Sequence, residues 1–564
     1  EPAFILRRTI IGCQAMDYPN KTIYLLDDTR RPEIRALAEA LGCEYRTRPN
    51  NDHAKAGNLN HAIAHSQAEL IVNFDADFIP TRNFLQRTVG FFQDPEIALV
   101  QTPQSFYNAD PIARNLGLEN ILTPEEEVFY RQIQPMRDAA GSVVCAGTSF
   151  VVRRSALEAT GGFVTESLSE DYFTAINLAS QGHRVIYLDE KLSAGLAAES
   201  IADQATQRLR WAQGTLQAFF IRTNPLTIPG LTPLQRLGHL EGILHWFTTL
   251  ARVYFLLMPL TYSFLGVIPL RATAQELMYF FLPYYLIQIT VFAWLNNRSR
   301  SALLSDVYSL VLVFPLALTV VTSLLNPFSK GFQVTPKGTA SDRFTFNWRL
   351  AWPLVILFSL TALSLWQNLA QCLMAEGWSG QFKGLGLGWV WSLYNLMMIG
   401  IALLVMLDVP RPDATAWLEL RRVVRLDFVD GQGQRQFHWG MTTMMSERGV
   451  AIELSRGGGS LQGYRGPVGV TLVESGLELP GQLLALAPPD QEGAAFLKAE
   501  VKFDALGLAQ ERRLVELLFC RPGQWKRWNS PGELRSLWLL FKVLLWPKVL
   551  NRNSPIKALQ LVQG

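Results

Sequence analysis

Charge is in short supply in this 564-residue chain: Asp, Glu, Lys and Arg make up 18% of it, against 49% hydrophobic residues. That balance excludes an ordinary soluble protein. The net charge of +3 excludes a general affinity for nucleic acid carried by basicity. Cysteine is sparse as well. Cys13, Cys43, Cys145, Cys372 and Cys520 are scattered, with no CxxC pair and no metal-ligand spacing. This points to reduced thiols and a cytoplasmic bulk. What the chain has in quantity is aromatic side chains, 32 Phe and 15 Trp, and a length that allows roughly two to four domains.

Residues 1–230 are mostly polar and alternate strand and helix patterns. The opening EPAFILRRTI reads as a helix start with Pro2 near its first turn. An α/β domain rarely begins there, so the natural chain is expected to begin earlier. KTIYLLDD (21–28) and ELIVNFDAD (69–77) read as short buried strands ending in acids. RPEIRALAEALG (31–42) has helical spacing with Gly42 as its stop, and HAKAGNLNHAIAHS (53–66) reads as a loop entering a helix. This alternation implies an α/β domain with a parallel or mixed sheet covered on both faces. Ligands of such sheets sit at the carboxyl ends of the strands, where both acidic clusters fall.

Residues 231–410 are apolar. Segments 246–268, 277–295, 350–369 and 387–407 are each long enough to cross a bilayer, which takes ~20 residues. A fifth, 306–326, contains Pro315. Arg298, Arg300, Lys330, Lys337, Arg343 and Arg349 flank it, whereas 370–386 carries only Glu376 and Lys383. The positive-inside rule therefore lays 306–326 along the cytoplasmic interface and leaves four spans. Residues 411–520 return to short alternating strands with Gly-rich turns, the pattern of a small antiparallel barrel. In the tail, 521–564, a helix over 533–552 places Leu534, Leu537, Trp538, Phe541 and Leu545 on one face, with Arg535 and Lys542 off it. That is either an interfacial helix or one that packs on the rest of the chain.

Four polar clusters carry chemistry. Asp27-Asp28 and Asp75-Ala76-Asp77 each follow an apolar strand. Either alone is a common surface turn; two at like strand ends are harder to dismiss, and Asp75 and Asp77 offer hard oxygens to Mg²⁺ or Mn²⁺. Ser169-Glu170-Asp171 opens a helix. Ser169 as N-cap with acids at the positive end explains it structurally, and Asp171 as a general base explains it functionally. Gln207, Arg210 and Trp211 share a helical face, as either a membrane-proximal amphipathic helix or an anion- and sugar-binding surface.

In this order, and followed directly by spans, these motifs resemble the processive inverting glycosyltransferases that make cellulose, chitin and hyaluronan. The resemblance covers nearly the whole chain. It implies a GT-A type transferase fold in which Asp27, Asp28, His53, Lys55, Gly57 and Asn58 line a UDP site. It further assigns Asp75 and Asp77 to the metal, Asp171 with Glu170 to the base motif, and Gln207, Arg210 and Trp211 to the acceptor end. Cys145 stands where the family has Phe-x-Cys-Gly-Ser, here Val143-Val144-Cys145-Ala146-Gly147 with the aromatic lost. Glu1-Pro2 matches the end of the family's first strand and loop, so that strand and preceding transmembrane helices are expected ahead of it.

Two features resemble the bacterial cellulose synthases in particular. Phe332, Val334, Thr335 and Lys337 match their FxVTxK gating loop. Residues 411–520 resemble a PilZ domain, with Arg421 and Arg425 as its RxxxR motif. Taken blind, those arginines are a basic juxtamembrane stretch for anionic lipid. Ser446 and Gly449 fit the second PilZ motif, D/N-x-S-x-x-G, in which Met444 replaces the acid or amide.

The resemblance thus implies UDP-glucose as donor, a growing glucan threaded through the spans and Mg²⁺ or Mn²⁺ as cofactor. It also implies cyclic-di-GMP as an allosteric activator that frees the 332–337 loop. The setting implied is the inner membrane, multi-pass, with both extramembrane domains cytoplasmic, periplasmic or outer-membrane partner subunits and no nucleic acid. The competing readings are another sugar polymer, a cyclic-di-GMP receptor with an inactive transferase domain, and a transporter carrying a soluble domain. Of these the transporter calls for buried ionisable groups within the spans, where only Arg252 falls.

Overall fold

The computed structural model describes residues 1–267, 274–329, 331, 335–374, 382–411, 413–455, 461, 464–487 and 496–547. Its first helix, Ala3–Ala15, starts after Pro2 and buries Ile5, Leu6, Ile10 and Ile11. That face packs on helix Pro32–Leu41 and on helix Leu508–Phe519 near the C-terminus. Pro32 sits in the first turn of the second helix and Gly42 ends it with φ 68, the left-handed turn glycine adopts without strain.

The polar first third is a mixed α/β structure. Strand Tyr24–Leu26 pairs in parallel with Glu44–Arg46. A separate four-stranded sheet runs Leu70–Asn73, Phe150–Arg153, Ile97–Gln101, Arg184–Tyr187. Its first two pairings are antiparallel and its last parallel. Both acid-ended strands are shorter than their apolar runs: Asp27 immediately follows one, and Asp75 and Asp77 lie in the loop after the other. They belong to different hydrogen-bonded sheets, yet their carboxyl ends converge on one cavity.

Four stretches are long and apolar enough to cross a membrane: Pro233–Leu265, Met278–Leu295, Trp348–Gln367 and Gly388–Val405. The fifth apolar segment is not a single helix. Ala302–Val311 and Val313–Leu325 meet at Leu312 with a bend of 63°. Pro315 falls in the first turn of the second piece, where its missing N–H would have no partner in any case. That piece packs against helix Ile201–Leu216. Arg252, the charge inside a predicted span, is paired: its Nη1 donates to Asp306 Oδ1 at 2.8 Å, and Tyr394 OH donates to Asp306 Oδ2 at 2.6 Å.

The C-terminal barrel is all antiparallel. Val423–Val429, Arg435–Met445, Gly449–Ser455, Phe496–Phe503, Leu477–Ala487 and Pro467–Leu472 close into six strands. Val424, Leu426, Ile452, Leu454, Val470, Leu479 and Val501 alternate inward. The tail helix, Glu533–Leu545, buries Ser536, Leu539, Leu540 and Val543 against the apolar helices. Most of the stripe singled out in the sequence faces the other way: Leu534, Trp538, Phe541 and Leu545 are exposed, and of its five residues Leu537 alone packs partly against the apolar helices. The helix therefore packs with its small and aliphatic face and leaves an aromatic-rich face outward.

Candidate active site

A cavity of about 1240 Å³ opens at the carboxyl ends of strands Tyr24–Leu26 and Leu70–Asn73. Asp27, Asp28, Lys55, Asn58, Asp75, Asp77, Glu170, Asp171, Gln207, Arg210, Trp211, Thr335 and Lys337 all line it. The four clusters, together with Lys55 and Asn58 and the loop residues Thr335 and Lys337, thus share one cavity across more than 300 residues of sequence.

Asp27 accepts hydrogen bonds from Thr29 N and Arg31 N at 3.1 and 3.0 Å and from Tyr45 OH at 3.0 Å. Burial works against its ionisation, but these donors prevail and hold the carboxyl below its ordinary value. Asp28 is gripped by Arg48 in a two-pronged contact, Nε–Oδ1 and Nη2–Oδ2 both 2.7 Å. Arg48 also donates to the carbonyls of Asp52 and Ala54, which pins the loop before helix Ala54–Ala64.

Two residues of this loop-helix segment fall outside the cavity lining. His53 is exposed, with a left-handed backbone at φ 58. Gly57 sits so close to Asp52 O that a Cβ there would lie 2.1 Å from it. Its bare backbone lets the helix dock on the loop, a packing duty and not a lining one. Cys145 is likewise absent from the wall. It is buried in the core beneath, where desolvation pushes its thiol up, and its neighbours Ala146 and Gly147 reach the cavity instead. Phe332 and Val334 lie outside the described residues.

Helix Glu170–Ser180 carries the Ser169-Glu170-Asp171 cluster at its start. Ser169 occupies the N-cap position without a side-chain capping bond, contrary to the sequence reading; Ser167 Oγ instead accepts its N–H at 3.1 Å. Asp171 Oδ1 accepts the N–H of Tyr172 at 2.8 Å. Burial raises the Asp171 carboxyl above its ordinary value, while nearby Lys55 pulls the other way. Glu170, also buried and beside Asp171, is pushed up to about 7.

Lysines occupy the anionic centre. Lys55 Nζ contacts Asp75 Oδ1 and donates to Gly147 O at 2.6 Å. Lys337 Nζ contacts Asp77 Oδ2 and Leu196 O. Desolvation disfavours both ammonium groups, yet the surrounding carboxylates outweigh it and raise both. Arg210 lines the same cavity; burial lowers it, and Glu170, Asp75 and Asp171 resist. Among the described residues no three His, Cys, Asp or Glu side chains group as a ready metal cage. Asp77 nevertheless already holds a cationic group between two oxygens, a donor set suited to a hard cation completed by phosphate and water.

Gly147 escaped the sequence reading. Its φ is +82, and a Cβ there would come within 2.6 Å of Asp171 Oδ2. It stands two places after Cys145, so the right segment was marked with the wrong residue.

On the barrel, Arg421 and Arg425 are solvent-facing and already contact acids. Arg421 Nη1 is 3.4 Å from Glu453 Oε2, and Arg425 Nε donates to Asp427 Oδ2 at 3.0 Å. Ser446 and Gly449 close the hairpin between two strands, Ser446 N donating to Gly449 O at 2.9 Å. Pairing of Leu418 with Met445 and Glu419 with Met444 sets the residues just before the arginine motif beside the strand that leads into that hairpin.

A family model described as Glycosyl transferase family group 2 matches residues 70–296. The UDP-forming cellulose synthase catalytic subunit of Pseudomonas fluorescens is 34% identical over 538 residues, 94% of this chain and 70% of that protein. The corresponding cellulose synthase 1 subunit of Komagataeibacter xylinus is 32% identical over 562 residues, 98% of this chain and 73% of that protein. Among solved structures, a mannosyltransferase from Pyrobaculum calidifontis, in complex with GDP-Man and Mn²⁺, is 16% identical with a TM-score of 0.39, covering 58% of this chain and 85% of that one.

Proposed function

The chain belongs to the bacterial cellulose synthase catalytic subunits, and from that membership we propose how its residues build β-1,4-glucan from UDP-glucose. The observation that carries the reading is the position of Asp171. It is a half-buried carboxylate at a helix N-terminus, on the same wall as the acids after both strands and the Gln207–Arg210–Trp211 face.

Asp171 accepts the proton of the 4-hydroxyl on the terminal glucose. The freed oxygen attacks C1 of the donor from the side opposite UDP. The bond from C1 to the phosphate oxygen breaks, and UDP leaves with its electron pair. Inversion at C1 turns the α-linked donor into a β-1,4 link. A carboxyl raised above the ordinary Asp value is a stronger base once ionised. Asp27, held ionised, accepts from the nucleoside, and Asp28 acts through the Arg48 it fixes. Lys55 and Arg210 face the diphosphate. Asp77, with Asp75, would hold Mg²⁺ or Mn²⁺, which supplies charge neutralisation for the leaving diphosphate. Lys337 must leave Asp77 for that to happen, which gives the loop it ends a direct link to catalysis. Trp211 offers its indole to the acceptor ring, and the polymer passes between the spans of an inner-membrane protein whose transferase and barrel face the cytoplasm.

The test is incubation of the purified protein with labelled UDP-sugars, followed by digestion with a β-1,4-specific glucanase. Product from UDP-glucose that the glucanase dissolves is the expected result. Polymer made only from UDP-N-acetylglucosamine would overturn the choice of sugar.

The barrel is assigned a weak cyclic-di-GMP site built on Arg421, Arg425, Ser446 and Gly449. What supports it is the strand pairing that sets Glu419, two residues before Arg421, beside Met444 of the second motif. Met444 lacks the acid or amide that would meet a guanine edge. Calorimetry should show binding abolished by Arg421→Ala and tightened roughly tenfold by Met444→Asp, the worth of one charge-assisted contact. A wild type that binds nothing at high micromolar ligand while synthesis runs fully would make the barrel a structural module only.

A further inference from the structure

One residue between Gln207 and Arg210 is left without a task by this chemistry. Arg208 does not line the cavity that Gln207, Arg210 and Trp211 line. It lies instead over the Trp211 ring, with its guanidinium carbon 4.8 Å from the ring centroid, a cation–π contact. The spacing of three residues puts the two side chains over one another along the helix. Two carboxylates hold the same guanidinium: Nη2 is 2.5 Å from Glu125 Oε2 and 3.3 Å from Glu126 Oε1. Glu125 is fixed in turn by Gln204 Nε2 at 3.1 Å, one turn earlier on the helix.

As a source of stability this cluster is poor. Arg208, Glu125 and Glu126 are only 17%, 25% and 19% exposed. Two carboxylates against one guanidinium leave an excess negative charge in a dry place, and desolvation offsets much of the attraction. Burial, with Glu125 adding to it against the pull of Arg208, pushes Glu126 up to about 7. As an orienting device the cluster is well made. A guanidinium is a rigid plane, and two carboxylates set that plane where a single contact would let it turn. A guanidinium fixed over the indole face favours one orientation of that ring over the others.

We propose that Arg208, anchored by Glu125 and Glu126, is a positioning residue that clamps the Trp211 indole at the angle at which the terminal sugar of the acceptor stacks on it. This rests on the assignment of Trp211 to the acceptor. The clamp leaves the donor contacts of Asp27, Lys55, Asp75 and Asp77 untouched. Its loss therefore acts on transfer and on retention of the chain, and not on capture of UDP-glucose.

The experiment uses the full chain in lipid nanodiscs. Arg208→Lys keeps a cation between the carboxylates, and so the fold, but removes the plane. Synthesis should fall ~10–100-fold, the cost of a reactant misplaced by about an ångström, and the product should shorten. UDP affinity should stay within about twofold. The difference in near-UV circular dichroism between wild type and Trp211→Phe isolates the Trp211 indole band, and that band should flatten in Arg208→Lys. Unchanged synthesis, product length and indole band would overturn the clamp. Parallel loss of UDP binding would overturn it too, by making Arg208 a general structural support. A flattened band with unchanged synthesis would keep the clamp and remove the acceptor role of Trp211.

Discussion

Asp171 is held by a backbone N–H, a facing lysine and a glycine that leaves it room. Asp171→Asn should abolish polymer synthesis, beyond the ~10²–10⁴-fold loss of a typical general base, with UDP binding intact by calorimetry; near-normal turnover would remove Asp171 from the mechanism. Gly147→Ala should cost about 10²-fold by pushing that carboxylate aside. The acid pair also sets a pH profile. Asp171 must be ionised to work and lies above the ordinary Asp value, so the acid limb of kcat/KM should appear above the pH of a free carboxylate. Glu170, at about 7 from an ordinary 4.5, favours the fold below pH 4.5 and loses that advantage as pH rises through 7. Glu170→Gln should therefore raise Tm at pH 8 and not at pH 4, by up to ~3 kcal/mol in stability. Equal Tm gains at both pH values would show that Glu170 does not titrate there. At Asp77 the competing cation is Lys337. Mn²⁺ binding without nucleotide, followed by electron paramagnetic resonance, should tighten in Lys337→Met and vanish in Asp77→Ala, and synthesis should stop in EDTA.

At the scale of elements, the first helix joins the barrel hairpin to the acid-bearing loop. Arg8 Nε donates to Glu447 in the barrel hairpin at 2.6 Å, and the next residue, Thr9, donates to Ala76 O at 2.9 Å, between Asp75 and Asp77. Arg8 is 1% exposed and lies over the Phe4 and Phe519 rings. Removing its partner leaves a buried charge uncompensated, a loss of about 3–5 kcal/mol. Glu447→Gln should accordingly lower Tm and expose the barrel to limited proteolysis before the transferase region. Simultaneous cleavage of both regions at the wild-type rate would mean that the pair does not dock them. Element boundaries were legible where local chemistry sets them, as at Gly42. They were not legible at Leu312, because a continuous apolar run carries no mark of the bend that packing on helix Ile201–Leu216 imposes.

For the whole molecule, the four apolar stretches and the outward aromatic face of the tail helix make a membrane the natural surroundings. The chain should stay in the membrane pellet after alkaline carbonate. Its topology can be read with a membrane-impermeant thiol reagent, because Cys13, Cys43, Cys145 and Cys520 are buried and silent. With Cys372 changed to Ser, a cysteine at exposed Glu44 should react from the cytoplasmic side and Ser379→Cys from the opposite side. Reaction of both from one side would contradict an even number of spans between the transferase and the barrel.

The sequence by itself determined the order of the three regions, the apolar spans, the alternation of the barrel strands and the identity of the acids at the strand ends. Each of these is a local pattern whose period or composition needs no partner to be read. Only the tertiary structure decided which motif residues share a wall. Cys145 and Gly57 sit in the right segments but turn into packing, whereas Gly147 and Lys337 come up against the carboxylates of Asp171 and Asp77 from 24 residues before the one and 260 after the other. The tail helix shows the same division. Its apolar periodicity predicted a helix, but which of two apolar faces is covered depends on the neighbour it meets, and that information lies in distant helices and not in the stripe itself.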